Sequence, residues 1–272
     1  MAGRRAGLDS ARGIESVAQP LTLEDYERLD PVATLRRDGH ELSFHTPNRV
    51  TLWRVQTVLQ KEPGTIEWIE SFAADDVFVD VGANVGMYSL WAAKYRGARV
   101  FAFEPEAQSY AVLCRNIAIN ALSGRAVAYC LALSDESKLG TLHLTALAAG
   151  HSCHSFDESV NFKLEQTQFP FSQGCVAGRL DELVAGGAVP TPNHIKIDVD
   201  GFEHKVIAGA GAVLGDPACR SILVEINRRL EPHREIIAYL TGMGFRYSEE
   251  EAARAVRTEG LFEGCGNYVF RR

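Results

Sequence analysis

Residues 77–86 read Val-Phe-Val-Asp-Val-Gly-Ala-Asn-Val-Gly, an apolar run that stops at a glycine-spaced turn and passes at once into the helical pattern VGMYSLWAAKY. A strand this continuously apolar needs cover on both faces. Similar runs recur as RVFAFE (99–104), AVAYCLAL (126–133), HIKIDV (194–199) and SILVEI (221–226), with helical patterns QSYAVLCRNIAIN and FEHKVIAGAGAVL between them. The alternation predicts an α/β, Rossmann-like fold with a mostly parallel sheet flanked by helices. The final stretches GFRYSEEE and CGNYVFRR predict two shorter antiparallel strands closing the C-terminal edge.

The main domain is expected over residues 45–272. It is entered through two helical runs in residues 51–72, separated by Pro63-Gly64, and interrupted by an insert at about 145–178 rich in Ser, His, Phe and Gln. Uninterrupted loops of that length usually serve a function, and Phe156, Phe162, Phe169 and Phe171 can line an acceptor pocket as a wall or lid. Residues 1–44 are expected to form an N-terminal arm followed by short helices, with a helical pattern from Leu21 to Arg37 broken at Pro31.

Twenty-eight basic against 35 acidic residues give a net charge of −7, so no overall basic field attracts phosphates and no nucleic-acid partner is expected. No run approaches the length of a membrane span, so no membrane partner is expected either. Six cysteines without a CxxC pair point to a reducing, cytoplasmic setting.

The turn at residues 82–86 fits a nucleoside-type ligand. Glycines let backbone approach a ligand, and Glu104, 22 residues after Gly82, closes the second strand where an acid accepts from both ribose hydroxyls. In dinucleotide sites the middle residue of such a turn is a glycine that leaves space for a pyrophosphate. Here Asn84 takes that place and Gly86 comes one residue early, which suits S-adenosylmethionine, a ligand without a pyrophosphate. Asp80 and Asn84 are placed to meet its amino acid end, and Ser134-Asp135, after the third strand, its adenine.

The fourth strand carries the expected reaction site. Period two puts His194, Lys196, Asp198 and Asp200 on one side, and charged residues in a buried strand need partners. Asp198 stands at the carboxyl end, where open α/β sheets bind ligands, with Lys196 as its counter-ion. Asp198 is the first candidate base for a hydroxyl acceptor and His204 the second, with Glu203, His151 and His154 expected beside the acceptor. No metal site is assigned. Asp198, Glu225 and Asn227 form an alternative oxygen set for Mg2+, although Lys196 can neutralise the same acids.

Together VFVDVGANVGMYSL, FAFEPE, RNIAIN, ALSD and HIKIDVDGFEHKVIAGA resemble the FkbM family of methyltransferases, from about Val77 to Asn227, and TLWRVQTVLQKEPGTIEWI resembles the leader of some members. The resemblance implies a class I methyltransferase fold and S-adenosylmethionine held by Asp80, Gly82, Asn84, Gly86, Glu104 and Asp135. It places Asp198, Glu203 and Lys196 around the acceptor, and implies O-methylation of a sugar or secondary metabolite, a small-molecule partner. Asp200 departs from the family, which usually has Glu before this glycine. Alternatives are N-methylation of a peptide or amine, which needs no strong base, and a non-catalytic adenosine-nucleoside-binding scaffold.

Overall fold

The computed structural model describes residues 21–272, and the chain divides between Asp30 and Pro31 into two compact units. The arm expected over residues 1 to about 20 lies outside the described residues. In the first unit a short helix, α1 (Leu23–Arg28), is capped reciprocally: the Thr22 hydroxyl accepts from Asp25 N, and the Asp25 carboxylate from Thr22 N.

The second unit opens with a hairpin, not the helix expected as far as Arg37. Strands β1 (Val32–Arg37) and β2 (His40–His45) pair antiparallel. Their turn is Asp38-Gly39, with φ of 49° and 79°, the left-handed pair that a two-residue hairpin requires. Alternation on β2 buries Leu42 and Phe44. The unit therefore begins at Pro31, ahead of the boundary expected at 44/45. Asn116 Oδ1 accepts from His45 N, and Asn120 bonds both backbone groups of Ser43, so the RNIAIN segment holds the free edge of β2.

Helices α2 (Arg49–Lys61) and α3 (Pro63–Glu70) follow as expected, with Asn48 capping the first and Pro63 opening the second. Next come β3 (Val77–Val81), α4 (Met87–Trp91, continued by a π-helical turn to Arg96), β4 (Arg99–Phe103), α5 (Ala107–Ile119) and β5 (Ala126–Tyr129). Four short strands follow: β6 (Ala132–Leu133), β7 (Lys138–Leu144), β8 (Ser155–Phe156) and β9 (Phe171–Gly178). After α6 (Leu180–Ala185), β10 (His194–Ile197), α7 (Glu203–Ala208) and α8 (Gly211–Gly215), the chain ends with β11 (Ser221–Asn227), α9 (Glu231–Gly242), α10 (Glu249–Ala255) and β12 (Cys265–Arg271).

The main sheet runs β12-β11-β10-β3-β4-β5, parallel except for β12, which lies antiparallel on β11. Three expectations change. The run 126–133 is two strands, because the chain leaves the main sheet at Cys130 and β6 joins a second sheet, β6-β9-β7-β8. The end of the insert is β9, paired along its length with β7. Of the two C-terminal strands only β12 forms. Arg246 makes a single bridge to Arg271, and Ser248 then caps α10, whose first turn is three glutamates, a charge pattern that favours a helix start.

Core packing follows the strand period. Phe78 faces Trp68, Phe72, Leu90 and Trp91, while Val79 and Val81 face Ile207, Val213, Ile236 and Leu240. Full burial of a side chain such as Phe78 contributes about 1.5–3 kcal/mol. The same period sends Asp80 and Lys196, register partners on β3 and β10, to the face that α2, α3 and α4 cover. No helix among the described residues is long and apolar enough to cross a membrane.

Candidate active site

Strand order reverses between β3 and β10, and open α/β sheets bind ligands in the crevice beyond the carboxyl ends at such a point. A cavity of about 170 Å³ opens there. Gly82, Asn84, Glu104, Leu133 and Ser134 line one side, and Asp198, Asp200, Glu225 and Arg257 the other. Helix α2 brings Trp53, Arg54 and Lys61 to its wall, and the segment after β7 brings His151, Ser152, His154 and Phe156.

The two glycines of the turn do different work. Gly82 has φ +78°, and a Cβ there would lie 2.0 Å from the Asp198 carbonyl oxygen. The absent side chain lets the exits of β3 and β10 meet. Gly86 has φ +87° and a Cβ would strike Leu113 and Leu90. It therefore serves helix packing and does not line the cavity, against the cofactor contact expected of it.

Glu104 is buried, and its two oxygens accept from Asn84 N and Glu106 N, each at 2.8 Å. Burial outweighs these donors and raises its carboxyl to about 7. Asn84, at φ +51°, donates from Nδ2 to His151 O at 2.8 Å, so its side chain ties the turn to the insert. Asp80 lies beneath, 1% exposed, accepting from Ser89 Oγ at 2.6 Å and 3.8 Å from Lys196 Nζ. Burial raises its carboxyl in spite of that lysine. It does not line the cavity. Ser134 does, whereas Asp135 is exposed, accepts from Ser134 Oγ, and stands off the lining.

On the reaction side, Lys196 Nζ donates to Asp198 Oδ2 at 2.9 Å. Burial pushes the Asp198 carboxyl up, but Lys196, with Lys61 and Arg257, outweighs it and holds the group at about 2. Such a carboxylate is a weak base, which corrects its first place among the candidates. Asp200 is the better-placed acid. It lines the cavity, sits at φ +56°, and accepts from Cys153 N at 2.7 Å. Burial, reinforced by the Asp198 charge, raises its carboxyl to about 6.

Glu203 is fully buried, accepts from Val199 N and Gly201 N, and pairs with His233 at 3.2 Å. It shapes the turn that carries Asp200 and does not reach the cavity. His204 stands off the lining, and burial with the His233 charge lowers its imidazole. His151 and His154 do line the cavity, and burial lowers His154 to about 4. Of the insert aromatics, Phe156 lines the cavity, Phe162 packs on Phe262, Phe169 stacks on His143, and Phe171 is exposed.

The Mg2+ set does not assemble as expected. Asn227 Oδ1 accepts from Arg229 N instead. Oxygens of Asp198, Glu203 and Glu225 lie within 4.8 Å of one another, but each acid is already answered: Asp198 by Lys196, Glu225 by Arg257 at 2.8 Å, Glu203 by two amides and His233. The donor set does not fit a divalent ion. Sequence reasoning missed Arg54, Lys61 and Arg257. The seven-residue spacing of the first two, one face of a helix, was the available signal.

A mostly parallel α/β sheet with one antiparallel edge strand, a glycine turn after β3 and a buried acid after β4 make this the fold of the class I methyltransferases, enzymes that use S-adenosylmethionine. Residues 80–247, more than half the chain, match the family described as "Methyltransferase FkbM domain", and the chain belongs to that family. It is 28% identical over 195 residues to the hexuronic acid methyltransferase AglP of Haloferax volcanii, covering 71% of this chain and 74% of that one. It is 28% identical over 205 residues to the 31-O-demethyl-FK506 methyltransferase FkbM of Streptomyces tacrolimicus, with 68% and 78% covered. The methyltransferase sdnD of Sordaria araneosa is 29% identical over 208 residues, with 68% and 79% covered.

Proposed function

We propose that this enzyme transfers the methyl group of S-adenosylmethionine to a hydroxyl of a small molecule, a sugar or a secondary metabolite. One observation carries the reading: a single cavity is lined both by the buried, ribose-type acid Glu104 and by the half-buried carboxylate of Asp200. In the proposed arrangement Glu104 accepts from the ribose hydroxyls, Leu133 and Ser134 border the adenine, and the backbone of the Gly82 turn borders the amino acid end. Asp198, kept ionised by Lys196, stands beside the positive sulfonium.

The acceptor oxygen attacks the methyl carbon in line, the carbon–sulfur bond breaks, and its electron pair stays on sulfur. The hydroxyl proton passes to Asp200. Such catalysis is chiefly positioning, with proton removal added. A neutral amine would need no base, so a cavity-lining acid raised toward neutrality favours a hydroxyl over N-methylation. The relatives named for a hexuronic acid and for 31-O-demethyl-FK506 support a small-molecule acceptor, and the net charge of −7 weighs against nucleic acid. The six free cysteines support a reducing, cytoplasmic setting.

The test is incubation of the purified protein with methyl-labelled S-adenosylmethionine and panels of uronic acids, neutral sugars, polyketide alcohols and amines. Label should appear as an O-methyl group. Transfer confined to amines would overturn the hydroxyl reading, and a folded protein that binds neither the cofactor nor S-adenosylhomocysteine would leave only a scaffold.

A further inference from the structure

We infer that Arg54, on a helix outside the family-matched region, binds the carboxylate at the amino acid end of the cofactor; the inference rests on the cofactor site proposed above. Asn48 caps α2 and fixes where the helix begins. From that start Arg54, Thr57, Val58 and Lys61 fall at i, i+3, i+4 and i+7, one face of the helix. All four line a recess of about 50 Å³ between α2 and the Gly82-Ala83-Asn84 turn, with Lys196 and Asp198 on its floor. The recess and the main cavity share Arg54, Lys61, Gly82, Asn84 and Asp198. A ligand whose ribose meets Glu104 and whose sulfonium lies at Asp198 must therefore send its third arm past Gly82 into this recess.

The charges around the recess single out one residue. Lys196 is committed to Asp198 and Asp80. Lys61 stands 3.1 Å from Glu62, which also accepts from Tyr88, Arg257 and Asn267. Among the described residues Arg54 donates only its Nε, to Gly150 O at 2.6 Å, and makes no ion pair, although its charge reaches Glu104 and Asp200. That one bond fixes the plane of the guanidinium. Its two terminal nitrogens are left for an anion, and a planar fork of donors matches the two oxygens of a carboxylate. Arg54 thus joins both sides of the site, holding the insert at Gly150 and the ligand at its charged end.

Calorimetry separates these roles by comparing S-adenosylhomocysteine with 5′-methylthioadenosine, which lacks the amino acid end. Arg54→Ala should weaken the homocysteine ligand by about 10- to 100-fold, the range for a lost charge-assisted hydrogen bond. Arg54→Gln, which keeps an N–H for Gly150 O but no charge, should weaken it comparably. Methylthioadenosine should change by less than about twofold in either variant. Equal losses for both ligands, or an unchanged homocysteine affinity in folded variants, would overturn the assignment. A wild-type protein that binds neither ligand overturns the cofactor reading itself, a result distinct from an Arg54 effect shared by both.

Discussion

Lys196 Nζ lies 2.9 Å from Asp198 Oδ2, yet the lysine side chain is 1% exposed and the aspartate 24%, so the pair joins the floor of the sheet to the open cavity. Burial lowers the lysine's proton affinity, but Asp198, Asp80 and Glu62 together more than restore it. The ammonium therefore stays charged and keeps Asp198 ionised. In the proposed mechanism Asp198 acts on the sulfonium through its charge, and proton removal falls to another group.

Removing that ammonium takes the nearest cation from both Asp80 and Asp198, and leaves Asp198 only the charges of Lys61 and Arg257. Lys196→Met should destabilise the fold by about 3–5 kcal/mol, the usual cost of breaking a buried pair on one side. Denaturant unfolding measures it. A loss below about 1 kcal/mol, the scale of a surface pair, would show that water or a shifted residue compensates the acids.

The parallel sheet was legible because its five strands are short apolar runs with turns between them, and the turn at Gly82 with Glu104 marks the crevice by itself. The hairpin at 32–45 was legible in principle, since Asp38-Gly39 between alternating residues is a hairpin signal, but the run around Pro31 also fits a helical period. The site was legible as a set of residues on strand ends. The separation of Asp198 from Asp200 in strength was not, because it depends on how closely Lys196 approaches Asp198 and on how the fold desolvates Asp200 beside that charge. Arg257 was invisible for a similar reason: 32 residues separate it from Glu225 and 195 from Glu62.

The close approach at Gly82 makes a sharp prediction. Gly82→Ala forces a Cβ onto the Asp198 carbonyl, 2.0 Å away, at a φ that side chains avoid. Strain of this kind costs on the order of 1–3 kcal/mol before the clash is counted. The variant should lose thermal stability and S-adenosylhomocysteine binding together. Wild-type affinity in Gly82→Ala would mean that the two strand exits can separate without disturbing the site.

Glu104 gives a prediction in pH. Its carboxyl is raised to about 7 by burial, whereas ribose hydroxyls donate best to the ionised form. Affinity for S-adenosylhomocysteine should therefore rise as pH rises through about 7 and level off above it, with up to about a tenfold loss per pH unit below. Glu104→Gln should flatten that dependence, and Glu104→Ala should weaken binding by about 1–3 kcal/mol. A wild-type profile flat from pH 5.5 to 8 would remove Glu104 from the ribose.

The charge pairing at Glu225 bears on metal dependence. Arg257 bridges Glu225 and Glu62 at 2.8 and 3.1 Å, and Asn227 is turned to Arg229 N. An ion there would have to displace a guanidinium and face Lys196 as well. Turnover should be unchanged in excess EDTA and indifferent to added magnesium or manganese. Loss of activity in chelator, restored by either ion, would show that Arg257 swings away when the acceptor binds.

The assignment of the base is tested by the pH dependence of the reaction itself. Asp200 faces Asp198 and Glu203 from its own turn and Cys153 N from the insert. Burial and the Asp198 charge outweigh that amide and raise the carboxyl to about 6. A base must be deprotonated to act, so with S-adenosylmethionine saturating at every pH, kcat/KM for the acceptor should climb with pH up to about 6 and then level off. Asp200→Asn is a mild change for the backbone, because Asn tolerates the left-handed φ of +56° found here. It should lower the rate by about 10²–10⁴-fold, the span of general base catalysis, and abolish the inflection. Asp198→Asn acts differently: removing a like charge lowers the Asp200 carboxyl, so the inflection should move to lower pH and persist. If Asp198→Asn abolishes the inflection and Asp200→Asn leaves it in place, the proton goes to Asp198 despite Lys196, and the division of roles between the two acids is reversed.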